Sequence, residues 1–276
     1  MSTYVYRTNK LTDKKEREKK KDMGRLEVLY PNPALKLSEA GKNYLLISDI
    51  HIGFEERFNK EGFKITPSTD KMLHILTDLI HHEKPDRLII LGDVKSGFDR
   101  VNRNEWNNVP RFLEKISQLV EVSIIPGNHD GGITPLLPCE ARLEPAELLI
   151  GDTGLLHGHT NPTVALSGVK RLIMGHLHPS YSRYGSPLSG NRVWVTMRAP
   201  RNLIFDVDGG EEGSKDLEIW VVPAFNPELG AAGLTVMRER VISPILRKID
   251  AHVSEALVIM LDGSVIGDAD SMKYAF

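Results

Sequence analysis

Apolar residues follow two rhythms along this chain, and the change between them divides it. From residue 43 to about 140, short solid apolar runs alternate with longer stretches in helical spacing. Asn43–Ser48 is a compact apolar run that predicts a buried strand ending at Asp49. Thr66-Pro67 predicts an N-cap followed by proline at the first helical position, after which Met72, Leu73, Ile75, Leu76, Leu79 and Ile80 recur at helical spacing. Arg87–Leu91 predicts a second buried strand, ending at Gly92-Asp93. A helix starting or kinking at Pro110 would bury Leu113, Ile116 and Leu119. Val122–Ile125 predicts a third strand, ending at Pro126-Gly127-Asn128. This β-α-β-α-β order implies a parallel arrangement with right-handed crossovers.

Beyond residue 140 the helical spacing largely stops. Leu148–Ile150, Gly154–Leu156, Arg171–Met174, Arg192–Thr196, Asn202–Val207, Leu217–Val222 and Leu257–Leu261 read as strands, punctuated by Gly, Pro, Asp and Asn. The expected architecture is α/β: two packed sheets with flanking helices. No internal repeat and no linker interrupts it, so residues 26–276 are expected to form a single domain.

The first 25 residues are of another kind. Lys10–Arg25 has almost no apolar residues, and residues 1–25 hold nine Lys or Arg against four Asp or Glu. Such a segment is expected to be disordered or a solvated helix, serving as a solubilising tail or a nucleic-acid-binding arm. The whole chain of 276 residues has a net charge of −2, so taking away the tail's +5 leaves −7 on the body. A body that acidic is no evident groove for duplex DNA. It does not disfavour a small phosphorylated substrate, because bound cations would reverse the charge locally. At 41% hydrophobic and 26% charged, the composition is that of a protein with a sizeable core. Cys139 is the only cysteine, which excludes an intrachain disulfide and a cysteine-rich zinc site. The N-terminus lacks the apolar stretch of a signal peptide, and runs such as Leu45–Ile47 and Leu217–Val222 are too short to cross a bilayer. A cytoplasmic protein without a membrane partner is expected.

Chemistry gathers at the strand ends. Asp49-Ile-His51-Ile-Gly53, Gly92-Asp93, Gly127-Asn128-His129-Asp130, His157-Gly158-His159 and Gly175-His176-Leu177-His178 each follow a predicted strand, and they hold six of the ten histidines. Open α/β sheets collect ligand residues at the carboxyl ends of strands, so segments far apart in sequence can converge. Oxygen and nitrogen donors without sulfur suit paired divalent cations. Asp49 with His51, and His176 with His178, stand two apart and can face one ion. The two oxygens of Asp93 could bridge two ions, and Asn128 offers a neutral carbonyl. One ring nitrogen of His129 could face a leaving-group oxygen while a carboxylate such as Asp130 holds the other, making His129 a general acid or a stabiliser of negative charge.

The order DxHxG, GD, GNHD, HGH, GHxH, over roughly residues 44–180, resembles the calcineurin-like metallophosphoesterases. The runs Leu88–Phe98, Met174–Pro179 and Val221–Pro227 are similar to the SbcD-related phosphoesterases of archaea and to a bacterial phosphoesterase encoded beside a DNA ligase. The resemblance implies a four-layer α/β/β/α sandwich of two packed mixed sheets. It implies two divalent ions, manganese first, with iron, zinc or nickel as alternatives. Asp49, His51, Asp93 and His178 would hold one ion, and Asp93, Asn128, His157 and His176 the other. A hydroxide between the ions would attack phosphorus, with His129 as catalytic histidine.

Relatives often carry a histidine three residues after the bridging aspartate, where this chain has Ser96; Lys95 or Arg100 could supply positive charge instead. His159 is a contact to substrate or to the ligands, or simply exposed. His74 is expected to pack, and His81 and His82 to end a helix. Pro223-Ala224-Phe225-Asn226-Pro227 makes a rigid turn, and Trp106, Trp194 and Trp220 could stack a base but suit core packing better.

Three functions are set out: a phosphodiesterase acting on nucleic acid ends, cyclic nucleotides or other small diesters; a phosphomonoesterase with the same ions; and an inactive metal-binding scaffold. The diester preference comes from the resemblance, which also implies a homodimer as one assembly. Fewer than one hundred residues follow GHxH, so no ATPase partner of a repair nuclease is evident.

Overall fold

The computed structural model describes residues 24–60, 62, 66–98, 100–205, 216–229, 243–249 and 252–276. Of the tail expected over residues 1–25, residues 1–23 lie outside the described residues, and Arg25 already belongs to a strand. Two sheets form the centre. The first has six strands in sequence order: β1 (Arg25–Val28), β2 (Leu35–Glu39), β3 (Lys42–Ile47), β4 (Arg87–Leu91), β5 (Glu121–Ile125) and β6 (Ala141–Leu143). Its first two pairings are antiparallel, and β3 to β6 run parallel. The second has seven strands in the order β13-β12-β10-β11-β9-β8-β7. These are β7 (Glu147–Ile150), β8 (Thr153–Leu156), β9 (Arg171–Met174), β10 (Val193–Pro200), β11 (Asp216–Val221), β12 (Glu255–Met260) and β13 (Val265–Gly267). Within it β8, β9 and β11 are parallel neighbours.

Alternation along single strands builds four layers. Leu45, Ile47, Leu88 and Ile90 turn outward from the first sheet onto the two helices that follow the short α1 (Glu56–Lys60), α2 (Thr69–Glu83) and α3 (Arg103–Ser117), against Met72, Leu76, Phe112 and Ile116. Their neighbours Leu46, Ile89 and Leu91 turn the other way and meet Leu155, Ile173 and Trp194 of the second sheet. Successive side chains of a strand point to opposite faces, so a solid apolar run signals a strand covered on both sides. Behind the second sheet, Val195, Met197 and Ile219 pack on Ile204, Phe205, Ile245 and Ile249. These come from the short helices α4 (Arg201–Phe205) and α5 (Pro244–Ile249). The result is the expected α/β/β/α sandwich.

Several local expectations are corrected. Helix α2 begins at Thr69 with Ser68 as its N-cap, two residues later than Thr66-Pro67 suggests. Helix α3 begins at Arg103 and carries Pro110 inside it; its start is a capping box of Asn102 and Glu105. Leu119 lies beyond its end and is exposed, and Val109 and Phe112 fill the core instead. Asn202–Phe205 is helical rather than a strand, because β10 continues to Pro200 and the chain must then reverse to return antiparallel as β11. A short apolar run cannot by itself separate these outcomes. His74 is 79% exposed beside Asp78 and is not a packing residue. Among the described residues, no helix is long and apolar enough to cross a membrane.

Candidate metal centre

Strands β3, β4 and β5 of one sheet and β8 and β9 of the other deliver their carboxyl ends to one place. The loops leaving them are conformationally unusual. Asp49, His51, Asp93, His176 and His178 all have positive φ, between 43° and 71°. For a residue with a Cβ, that region costs about 1–2 kcal/mol each, so surrounding bonds must impose it. Close approach explains two glycines. A Cβ on Gly92 would lie 2.4 Å from His157 Nδ1, and one on Gly175 would lie 1.7 Å from Ser48 Oγ.

Both aspartates are held by one oxygen and offer the other. Asp49 Oδ2 accepts from Ser48 Oγ at 2.5 Å and from His176 N–H at 3.0 Å. Its Oδ1 faces His178 Nε2 at 2.9 Å and His51 Nε2 at 3.8 Å. Asp93 Oδ1 accepts from the His129 N–H at 2.9 Å, while Oδ2 stands 3.3 Å from both His51 Nε2 and His157 Nε2. Two groups of ligand atoms result, each within 4.8 Å: Asp49, His51, Asp93 and His178, and Asp93, His157 and His176. Asn128 joins the second group, its Oδ1 3.2 Å from His157 Nε2. His51 and His178 bring their Nε2 atoms to 3.2 Å of each other.

The donor set fits a cation. His157 Nδ1 donates to Leu91 O at 2.7 Å, so in the neutral ring Nε2 carries a lone pair. That lone pair, Asn128 Oδ1 and Asp93 Oδ2 are three acceptors turned toward each other. Only a proton or a metal ion satisfies such a convergence, and the oxygen and nitrogen donors suit a divalent ion. The electrostatics agree. Burial alone would lower the His157 pKa, but the hydrogen bond and charge of Asp93 and the charge of Asp49 push it up to about 9. Burial also resists ionisation of the aspartates; His178 and His157 nevertheless hold Asp49 at about 2, and His157 and His51 hold Asp93 well below the carboxylate range. Burial keeps His51 and His176 below the usual histidine value, His176 at about 4.

His129 sits at the rim of this cluster, its ring edge-on to His51 at 4.7 Å. Its expected pairing with Asp130 is not the one present. His129 Nδ1 donates to the Ser96 backbone carbonyl at 2.5 Å. Asp130 instead accepts from the Asp93, Val94 and Gly127 amides at 2.8–2.9 Å, tying the second motif to the third. The reason is local: a buried carboxylate beside a turn of free N–H groups takes them first. Burial and the charge of Asp93 raise Asp130 to about 6. Burial holds His129 at about 4, so its Nε2, 3.9 Å from Asp93 Oδ2, is an acceptor at neutral pH.

The other expected candidates separate. Ser96 contributes its backbone carbonyl to His129. Lys95 is fully buried and donates to Gly97 O, so it pins its own loop, and Arg100 is exposed. His159 lies beside the second group, its ring 5.3 Å from His157 and 6.1 Å from His176, and among the described residues its Nδ1 has no hydrogen-bond partner. Trp194 is buried between the sheets against Trp220, and Trp106 is 56% exposed on α3.

Asn226, expected from the sequence only as part of a rigid turn, has a further role. Its Nδ2 donates to Ile50 O at 3.0 Å and its backbone N–H to Asp49 O at 3.3 Å, clamping the strained Asp49–His51 loop. Its Oδ1 accepts from Ser68 Oγ, and Arg192 holds the carbonyls of Ala224 and Phe225 at 2.6 and 3.0 Å. Sequence reasoning missed Glu105, although the Asn102-x-x-Glu105 spacing announces a capping box.

Residues 42–196 match the sequence model of the calcineurin-like phosphoesterase family. Among solved structures, the nuclease MPE of Pseudomonas putida superposes with a TM-score of 0.51 at 16% identity, covering 88% of this chain and all of that one. Yfce, a phosphoesterase from E. coli, gives a TM-score of 0.36 at 15% identity over 82% of this chain and 97% of its own. No curated protein matches. With more than half of its length matched and the motif loops within the matched span, the chain belongs to the calcineurin-like phosphoesterases.

Proposed function

We propose that this protein is a two-metal phosphodiesterase. The observation that carries it is Asp93 Oδ2, at 3.3 Å from one histidine of each ligand group. Asp49, His51, Asp93 and His178 would hold one divalent ion, manganese first, and Asp93, Asn128, His157 and His176 a second. Such a pair supplies an activated water at neutral pH and a positive clamp on the phosphoryl oxygens.

The chain's own groups do the rest. The amides bound by Asp130 and the carbonyls bound by Asn226 hold three motif loops in register. His129 faces the centre with Nε2, its other nitrogen tied to a neutral carbonyl rather than a carboxylate. An anionic phosphate brought beside it favours protonation of Nε2, and that proton can pass to the departing oxygen. The similarity of Leu88–Phe98, Met174–Pro179 and Val221–Pro227 to SbcD-related enzymes supports a diester, and the nuclease MPE of Pseudomonas putida shares the fold.

The test offers manganese-loaded protein a chromogenic diester, a monoester, a cyclic nucleotide and single-stranded DNA. Diester turnover supports the reading. Turnover of the monoester alone would overturn the diester assignment, and no turnover with any of several metals would favour a scaffold.

A further inference from the structure

Phe98 is a large apolar residue left 55% exposed next to the candidate metal centre. Its position is not casual. One face stacks on the His129 ring, with centroids 3.7 Å apart and planes tilted by 34°. The loop that presents it is rigidly held. Buried Glu105 accepts from the Ser96 and Gly97 amides at 3.0 and 2.5 Å, and buried Lys95 donates to the Gly97 carbonyl. The loop that turns His129 through the Ser96 carbonyl thus also covers its ring. An aromatic residue fixed against His129 and more than half exposed is a stacking platform whose ordering cost is met before substrate arrives.

We propose that Phe98 is a specificity residue that stacks the nucleobase of the departing nucleoside. The inference rests on the phosphodiesterase reading and deepens it, naming nucleic acid ends rather than aliphatic diesters as the substrate class. His129 Nε2 faces Asp93 and Phe98 covers a face of the same ring, so a leaving group that takes its proton from His129 departs within reach of Phe98. Every base has a π face, so the platform selects for a base without choosing among them.

The test compares the dinucleotide d(TpT) with its two analogues carrying an abasic sugar at the first or second position, using manganese-loaded protein and product chromatography. The leaving oxygen is chemically alike in all three, so differences report stacking. Wild type should cleave d(TpT) with a kcat/KM about tenfold or more above that of the analogue lacking the departing base. Phe98→Ala should bring that ratio close to one, Phe98→Trp should keep it, and Phe98→Leu, which restores apolar cover without a π face, should not. A ratio unchanged in Phe98→Ala, or no discrimination by wild type, overturns the inference while leaving the diesterase reading intact. Absence of turnover on all three, with a monoester still cleaved, contradicts the diesterase reading and the inference with it.

Discussion

Asp93 Oδ2 and His157 Nε2 face each other at 3.3 Å, and the outer atom of each is already engaged. Asp93 Oδ1 accepts from the His129 amide, and His157 Nδ1 donates to the Leu91 carbonyl. Neither group can turn away, so the space between them takes a positive charge: a proton on the ring, or a metal ion.

Metal binding should therefore release a proton. Asp49 and Asp93 are ionised at pH 7, and His51 and His176 are neutral, so His157, near 9, is the group that must deprotonate. Titration calorimetry of manganese at pH 7, in buffers of different ionisation heat, should show about one more proton released by the protein than by its His157→Gln variant. That excess should fall and the affinity rise as pH passes 9.

The metal-free fold should carry the same signature. A histidine whose folded pKa lies above its ordinary 6.5 adds stability that is fully present below 6.5 and lost as pH rises through about 9. Denaturant unfolding in chelator should show a loss of up to about 3 kcal/mol over that window. It should vanish in His157→Gln.

His129 acts at the rim and not as a ligand in this account. His129→Ala should lower turnover on the order of 10²–10⁴-fold while metal content stays unchanged. Metal analysis on the same sample decides the matter, since parallel loss of both would make His129 structural.

Asn226 should matter more than its distance in sequence suggests. Asn226→Ala leaves the Ile50 carbonyl without its side-chain donor, at a cost of about 1–3 kcal/mol, and frees a loop in which Asp49 and His51 hold left-handed angles. Both the unfolding midpoint and the metal affinity should fall. Asp78→Ala, an exposed change on α2, should move neither.

What was legible in the sequence follows from what kind of force made it. Solid runs such as Leu88–Leu91 mark strands covered on both faces, and the layers followed from them. Strands β1, β2, β6 and β13 escaped notice because they lie at or next to sheet edges and, β13 apart, mix charged with apolar residues. The ligand motifs were legible because chemistry restricts them to Asp, Asn and His. Their partners were not. Ser96 serves His129 through a carbonyl that every residue possesses, and Asn226 reaches Ile50 across 176 positions. The left-handed angles at five aspartates and histidines were equally hidden, since they come from tertiary bonds and not from residue type.

The central claim is that one aspartate serves two cations. Anomalous diffraction from a manganese-soaked crystal tests it directly. Two peaks are expected, one beside Asp49, His51 and His178 and one beside Asn128, His157 and His176, with Asp93 between them; Asp93→Ala should remove both. A single peak, or two that do not share Asp93, would contradict the account.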